Sequence, residues 1–292
     1  MNAVQRPAGG RAKRIALFVW RSFPVRIVFG ALAVALAQAI AFGLESAAGL
    51  SGVRWLGASV GAWLSAPITL LMYALYVRVI ERQPVRELAL RHIGELGIGA
   101  AIGVVLLGAI VGLIALPGYY RVTGYNGWTA AVNLLWIGVI PGVVEEVLLR
   151  GVFHRILERI LGTWISLVVT SLLFGFLHAA NPNATLFSSL AIALEAGTML
   201  GMAYTLTKRL WLAIGLHAAW NWTQGGVFDV AVSGNDVQGL VDAQVSGPEL
   251  LTGGAFGAEA SVIAVVLCLA VFGAMTALAH KRGEIVPVWW RR

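Results

Sequence analysis

Seven residues near the middle of the chain carry chemistry that apolar sequence seldom holds without a use. They are Glu145, Glu146 and Arg150 in PGVVEEVLLR, Phe174 and His178 in FGFLH, and His217 and Asn221 in HAAWN. Carboxylates, imidazoles and a carboxamide together suit hydrolysis. A carboxylate held near an imidazole can take a proton from water. Two histidines can bind a divalent metal, which lowers the pKa of a bound water. A carboxamide can donate to a developing oxyanion. No serine or cysteine occupies an obvious nucleophile position beside these histidines. The set therefore points to attack by activated water rather than to an acyl-enzyme.

Helical spacing sorts these residues further. Glu146 and Arg150 are four apart, so they share a face with the acid N-terminal to the base. Glu145 is rotated by about 100° from Glu146 and has no such partner. One glutamate is neutralised locally while the other is left to face a cavity. His217 and Asn221 also share a face, and Phe174 lies one turn from His178, where its ring can pack beside the imidazole.

The elements that must position these groups are membrane helices. Of 292 residues, 59% are hydrophobic and 12% charged, where a soluble domain carries about 25% charged residues. A bilayer core needs about 20 apolar residues per helix. Eight stretches are candidates: Ile27–Leu44, Ala58–Ile80, Leu96–Leu116, Trp128–Leu149, Trp164–Ala180, Leu186–Thr207, Trp211–Val227 and Ala260–Ala279. The fourth is expected to continue as a helix past the membrane surface, through Arg155 towards Leu161. The seventh is short and carries polar residues. The expected fold class is all-α: a polytopic membrane protein of about eight transmembrane helices with an intramembrane polar active site. Residues 1–26 form a basic N-terminal segment and residues 27–292 a single transmembrane domain.

The formal charge of +7 does not indicate a nucleic-acid partner, because the basic residues cluster at the ends of apolar runs. Arg6, Arg11, Lys13, Arg14, Arg21 and Arg26 precede the first run. Arg78, Arg82, Arg86 and Arg91 surround the second connection, Arg150, Arg155 and Arg159 the fourth, and Lys208 and Arg209 the sixth. Lys281, Arg282, Arg291 and Arg292 follow the last run. The alternate connections hold only Arg54 and Arg121, and the seventh has no Lys or Arg but carries Asp229, Asp236, Asp242, Glu249 and Glu259. Eight spans with both termini cytoplasmic satisfy this distribution. The first run reads as an uncleaved span, and the Ala/Gly/Arg-rich composition without an organelle signal suits a bacterial cytoplasmic (inner) membrane. Cys268 is the only cysteine, which excludes an internal disulfide.

Lengths test whether the polar groups can meet. Glu145 lies sixteen residues before a turn near Leu161-Gly162, and His178 about seventeen after it. Antiparallel helices joined there carry both to the same height, about 24 Å at 1.5 Å per residue. His217 lies eight residues after Arg209, about 12 Å of rise. The levels agree if the first hairpin protrudes about 10 Å into the cytoplasm, as Arg150, His154, Arg155, Glu158 and Arg159 suggest. The site is then expected inside the membrane, nearer the cytoplasmic face.

At these residues the chain resembles the CPBP family, the CAAX proteases and bacteriocin-processing enzymes also called Abi. The family's marks are EExxxR, FxxxH and HxxxN on successive spans. Here they read EEVLLR at 145–150, FGFLH at 174–178 and HAAWN at 217–221. The resemblance covers a catalytic core of about 128–223 and implies an eight-span intramembrane endopeptidase, a metalloprotease similar to the CAAX prenyl proteases. Carried over, Glu145 is the water-activating base, and His178 activates water or binds metal. His217 and Asn221 bind metal or stabilise the oxyanion. Glu146 and Arg150 match motif positions and read mainly as an orienting pair, with Phe174 as support. A divalent metal such as Zn on Glu145, His178 and His217 and a metal-independent glutamate mechanism are both open. The implied partners are the lipid bilayer and a membrane-associated peptide or protein, prenylated in the eukaryotic members but less expected to be so in a bacterium.

Other polar residues have plainer readings. Glu195 either bonds to the seventh helix or lines the substrate cavity. Gly197 and Gly201 form a GxxxG helix crossing. His154 is expected at the solvated hairpin, and His92 and His280 in cytoplasmic basic clusters near headgroups. Asn181-Pro182-Asn183 is an external turn, and Trp289 and Trp290 suit an interface anchor. Two other functions compete: a non-catalytic immunity or scaffold partner of the same fold, and a proton-coupled carrier, against which the lack of an internal repeat counts.

Overall fold

The structure is a computed structural model that describes residues 22–50, 52–288 and 290. Arg6, Arg11, Lys13, Arg14, Arg21, Trp289, Arg291 and Arg292 lie outside the described residues. The bundle is antiparallel. Its main helices are α1 (Phe23–Ala47), α2 (Val60–Ile80), α3 (Gly94–Ala115), α4 (Trp128–Leu161), α5 (Thr163–Leu177), α6 (Leu186–Thr207), α7 (Trp211–Asn221) and α8 (Val262–Lys281). Among the described residues, seven helices are long and apolar enough to cross a membrane. The one that falls short is α7, an 11-residue helix continued by a six-residue π-helical stretch, Trp222–Val227. It is enclosed by α3, α4 and α6 and buries Ile214, Leu216, His217, Trp220 and Asn221. A helix shielded from lipid on its sides can be short and polar, which is why hydropathy reads it poorly.

Small residues set the spacing around α7. A Cβ on Gly138 of α4 would lie 2.2 Å from the Ala218 carbonyl oxygen, and one on Gly142 would lie 2.9 Å from the Ala218 methyl carbon. These glycines let α4 and α7 touch backbone to backbone, just before the two glutamates. Gly197 and Gly201 do the same between α6 and α5, where added Cβ atoms would strike Ser171 and Leu167. The expected helix crossing is present.

α4 runs unbroken past the basic residues, as expected, and reverses into α5 at Gly162, whose φ of +84° favours glycine. The end of the bundle around this turn is tightly closed. Arg155 makes two hydrogen bonds to Glu81, at 2.6 and 2.9 Å, and Lys208 pairs with Glu158 at 2.7 Å. Arg209 pairs with Glu95, and Thr163 N donates to the Val286 carbonyl at 2.9 Å. His154 is fully buried between Ser166, Thr170 and Thr205. These residues correct the expectation of a solvated hairpin. Arg155, Glu158 and His154 are interior, covered by the segments around residues 81–95 and 284–288; of the group, Arg159 is exposed. Burial alone would raise the Glu81 carboxyl, but the hydrogen bonds and charge of Arg155 hold it below the ordinary glutamate value.

The opposite end is built from loops. β1 (Arg54–Trp55) and β2 (Ala58–Ser59) form a small hairpin. β3 (Tyr120–Tyr125) pairs antiparallel with β4 (Val241–Val245), with a bulge between Val122 and Gly124. This pairing folds the long segment after α7 back over the bundle. Asp229 holds it by accepting from Gly239 N at 2.7 Å and Ala243 N at 3.1 Å. Tyr120 donates to the Phe228 carbonyl at 3.0 Å, and its hydroxyl is pushed up to about 12 by burial and then by the nearby Asp229 charge. Asn181-Pro182-Asn183 is a turn at this same end.

Candidate active site

Pro141 starts the construction. It has no N–H, so the Ile137 carbonyl one turn earlier loses its helical partner. Asn221 of α7 donates to that carbonyl at 3.3 Å. The proline that interrupts the helix thus creates a docking point for an amide on a neighbouring helix. One turn further along α4 come the two glutamates, and immediately after them the helix widens into a π-helical stretch, Val147–His154. Comparable stretches contain Glu195 (Ala193–Gly197) and follow Asn221 (Trp222–Val227). Such widened turns re-aim side chains and cluster at functional sites.

The two glutamates divide as their spacing requires. Glu146 is fully buried, and one carboxylate oxygen accepts from Arg150 at 2.9 Å and from His217 Nδ1 at 2.8 Å. Arg150 also donates to the carbonyls of Ala196 and Gly197, at 3.2 Å each, and stacks 4.6 Å over the Phe174 ring. Glu145 has a side chain 34% exposed and faces the cavity, with one carboxylate oxygen 4.0 Å from His217 Nε2.

The imidazoles are held by their Nδ1 atoms. An ionised Glu146 can only accept, so His217 Nδ1 carries the proton it donates. His178, at the first position of a 3₁₀ turn closing α5, donates from Nδ1 to the Phe174 carbonyl at 2.8 Å, since a carbonyl too only accepts. Both rings keep Nε2 for other work. Phe174 packs between them, 4.8 Å from the His178 ring and 5.9 Å from that of His217. Fixing the second nitrogen is how proteins set imidazole tautomer and direction.

Glu145, His178, His217 and Asn221 line one cavity of about 1000 Å³. α4, α5 and α7 thus bring together residues separated by up to 76 positions in sequence. The cavity walls come from Arg54, Asn126, Asn133, Trp136, Asn181 and the segment Val232–Gln238. Every loop in that wall belongs to the loop end of the bundle. The cavity lies towards the loop end of the bundle, because His178 closes the far end of α5 and the near end is filled by ion pairs. A smaller groove of about 160 Å³, lined by Leu148, Leu149 and Leu177, also reaches Glu145 and His178 between α4 and α5. There the two helices part. The first half of α4 packs on α2 and α7, while α5 packs on α6.

Behind the imidazoles is a chamber of about 30 Å³, water-sized, lined by Glu195 and Glu259 as well as His178, His217 and Asn221. Glu195 lines this small chamber and not the 1000 Å³ cavity, and one of its oxygens has no hydrogen-bond partner. Glu259 accepts from Ser233 N, and burial raises its carboxyl. Sequence reasoning did not single out Glu259 for the site; its chemistry resembled that of the other loop acids, and only the fold brings it behind His178.

The family model described as Type II CAAX prenyl endopeptidase Rce1-like matches residues 126–223. The matched stretch begins just after β3 and contains α4 to α7, which supply all seven residues singled out by their chemistry. No curated protein and no solved structure matches the chain.

Proposed function

We propose that this chain, whose residues 126–223 match the Rce1-like CAAX prenyl endopeptidase model, is an intramembrane endopeptidase that hydrolyses a peptide bond of a membrane-associated polypeptide with water activated by Glu145. The observation that carries the reading is the Glu145 carboxylate at 4.0 Å from His217 Nε2, on the wall of a cavity shared with His178 and Asn221. A single water can bridge that distance.

In this reading Glu145 takes a proton from the bridging water while the water's oxygen adds to the scissile carbonyl carbon. The carbonyl π electrons move onto oxygen. Asn221 has one amide hydrogen bound to Ile137 and a second free to donate to that oxyanion. His178, held through Nδ1, orients the water or the carbonyl from Nε2. Collapse of the tetrahedral intermediate breaks the C–N bond, and Glu145 returns its proton to the leaving nitrogen. Glu146 and Arg150 position His217, and Phe174 separates and steadies the rings.

The expected divalent metal on Glu145, His178 and His217 is a separate proposal. Both Nε2 atoms are oriented as ligands are. Yet no three His, Cys, Asp or Glu side chains among the described residues are grouped to hold one ion. The donors do not fit a metal as they stand, so the steps above use the residues alone. The substrate is a membrane-presented peptide, and the expected setting is a bacterial cytoplasmic membrane. The test is cleavage of such a peptide by purified protein. Activity in the parent that survives in both Glu145→Gln and His178→Ala would overturn the reading.

A further inference from the structure

Two independent observations bear on the direction from which substrate comes. The first is where the cavity opens. Its walls are Arg54 of the β1–β2 hairpin, Asn126 after β3, Asn181 after α5 and the segment Val232–Gln238 after α7, all at the loop end. At the other end Arg155–Glu81, Lys208–Glu158 and Arg209–Glu95 fill the space between the helices. The second is where the positive charge lies. Of 21 Lys and Arg, only Arg54 and Arg121 belong to loop-end connections, whereas the one connection that carries Asp229, Asp236, Asp242 and Glu249 is at that end. Short connections rich in Lys and Arg stay in the cytoplasm.

We propose that the active-site cavity opens on the extracytoplasmic side, and that the substrate is the extracytoplasmic juxtamembrane segment of a membrane-anchored polypeptide. This rests on the peptidase reading for the word substrate, but not for the side of access. The cavity wall suits an extended peptide. Asn133, Asn181 and Gln238 offer carboxamides, each able to donate and accept, and Arg54 and Asp236 balance in charge. The groove between Leu148 and Leu177 leads from the lipid-facing flank to Glu145 and His178. An apolar anchor lying there leaves the adjoining polar segment within reach of the carboxylate. A soluble cytoplasmic C-terminus has no path to the site in this arrangement, because the basic end is closed.

The test has two arms in the full-length protein. Single cysteines are placed at Gln238 or Gln244 at the loop end and at Gln83 at the basic end, all exposed, against a buried native Cys268. Gln83 leaves the orienting arginines intact. A membrane-impermeant thiol reagent on intact cells is expected to label Gln238→Cys and Gln244→Cys, and to label Gln83→Cys only after permeabilisation. Labelling of Gln83→Cys alone in intact cells, or of both ends equally, overturns the proposal whatever the protein's activity. In the second arm, one reporter segment is placed outside or inside a single-span anchor. Cleavage only of the outside version is expected. Cleavage only of the inside version overturns the direction of access, and cleavage of neither, with the labelling pattern as expected, overturns the peptidase reading and the substrate assignment but leaves the side of access standing.

Discussion

The basic end of the bundle and the half that faces the loops use the same kinds of side chain to opposite effect. At the basic end, Arg155 meets Glu81, Glu158 meets Lys208, Thr163 and Thr205, and His154 contacts three hydroxyls. Their main valences are used within the protein. In the loop-facing half, one Glu145 oxygen makes no hydrogen bond, and both imidazoles keep Nε2 free of protein hydrogen bonds beside a cavity. A buried ionisable group is structural when its partners are complete and chemical when a valence is left towards water. Glu146 stands between the two cases. It is buried, and one oxygen takes both Arg150 and His217 while the other has no hydrogen-bond partner, so it ties the structural network to the reactive groups.

That comparison can be broken by substitution. The largest effect is expected at the junction. Arg150→Ala removes one partner of a buried pair, at a cost of about 3–5 kcal/mol, and loosens the Glu146 side chain that holds His217. Thermal stability in detergent and peptide cleavage should fall together. Arg155→Ala should cost a similar about 3–5 kcal/mol of stability by orphaning Glu81, but the protein that remains folded should keep the parent kcat. Equal loss of kcat in both variants would erase the distinction between the ends. Asn221→Ala should reduce kcat by about 10²–10³-fold, the cost of one oxyanion donor, with a smaller change in stability.

Acidification sharpens the contrast more gently. Glu81 is held below its ordinary value of 4.5, so its contribution to stability is complete above that pH and is lost as pH falls through the lower folded-state value. Unfolding temperature should therefore drop on acidification below 4.5, and Glu81→Gln, less stable at neutral pH, should show a shallower acid limb. The smallest effect is expected from Pro141→Ala. A restored N–H would compete with Asn221 for the Ile137 carbonyl, lowering kcat by a few-fold while leaving stability the same or higher. An unchanged kcat would remove the proline from the account of how Asn221 is placed.

Much of the site was legible because polar groups in apolar helices are costly and helical spacing is strict. The i, i+4 relation paired Glu146 with Arg150 and left Glu145 over, and the arm lengths about Gly162 brought α4 and α5 to one level. The resemblance fixed the roles to test, and the family match covers the same stretch. What was not legible depended on partners distant in sequence. Arg155 and Glu158 looked solvated because a run of charges reads alike whether water or Glu81 and Lys208 surround it. The basic hairpin was taken to reach into water for the same reason, when it is packed against the connection after α2 and the segment after α8. The Asn221–Ile137 bond needed both the proline and the α4–α7 contact, and Glu259 reaches the site from the turn that leads into α8 and packs on α6.

The most direct measurement compares two isosteric changes in purified protein reconstituted with a membrane-anchored peptide. Glu145→Gln keeps the shape of the cavity and removes the base; Glu81→Gln does the same to a carboxylate at the closed end. Cleavage is expected to fall about 10²–10⁴-fold in the first and to stay within a few-fold of the parent in the second. Equal rates in Glu145→Gln and the parent would contradict the assignment of water activation to the carboxylate beside His217.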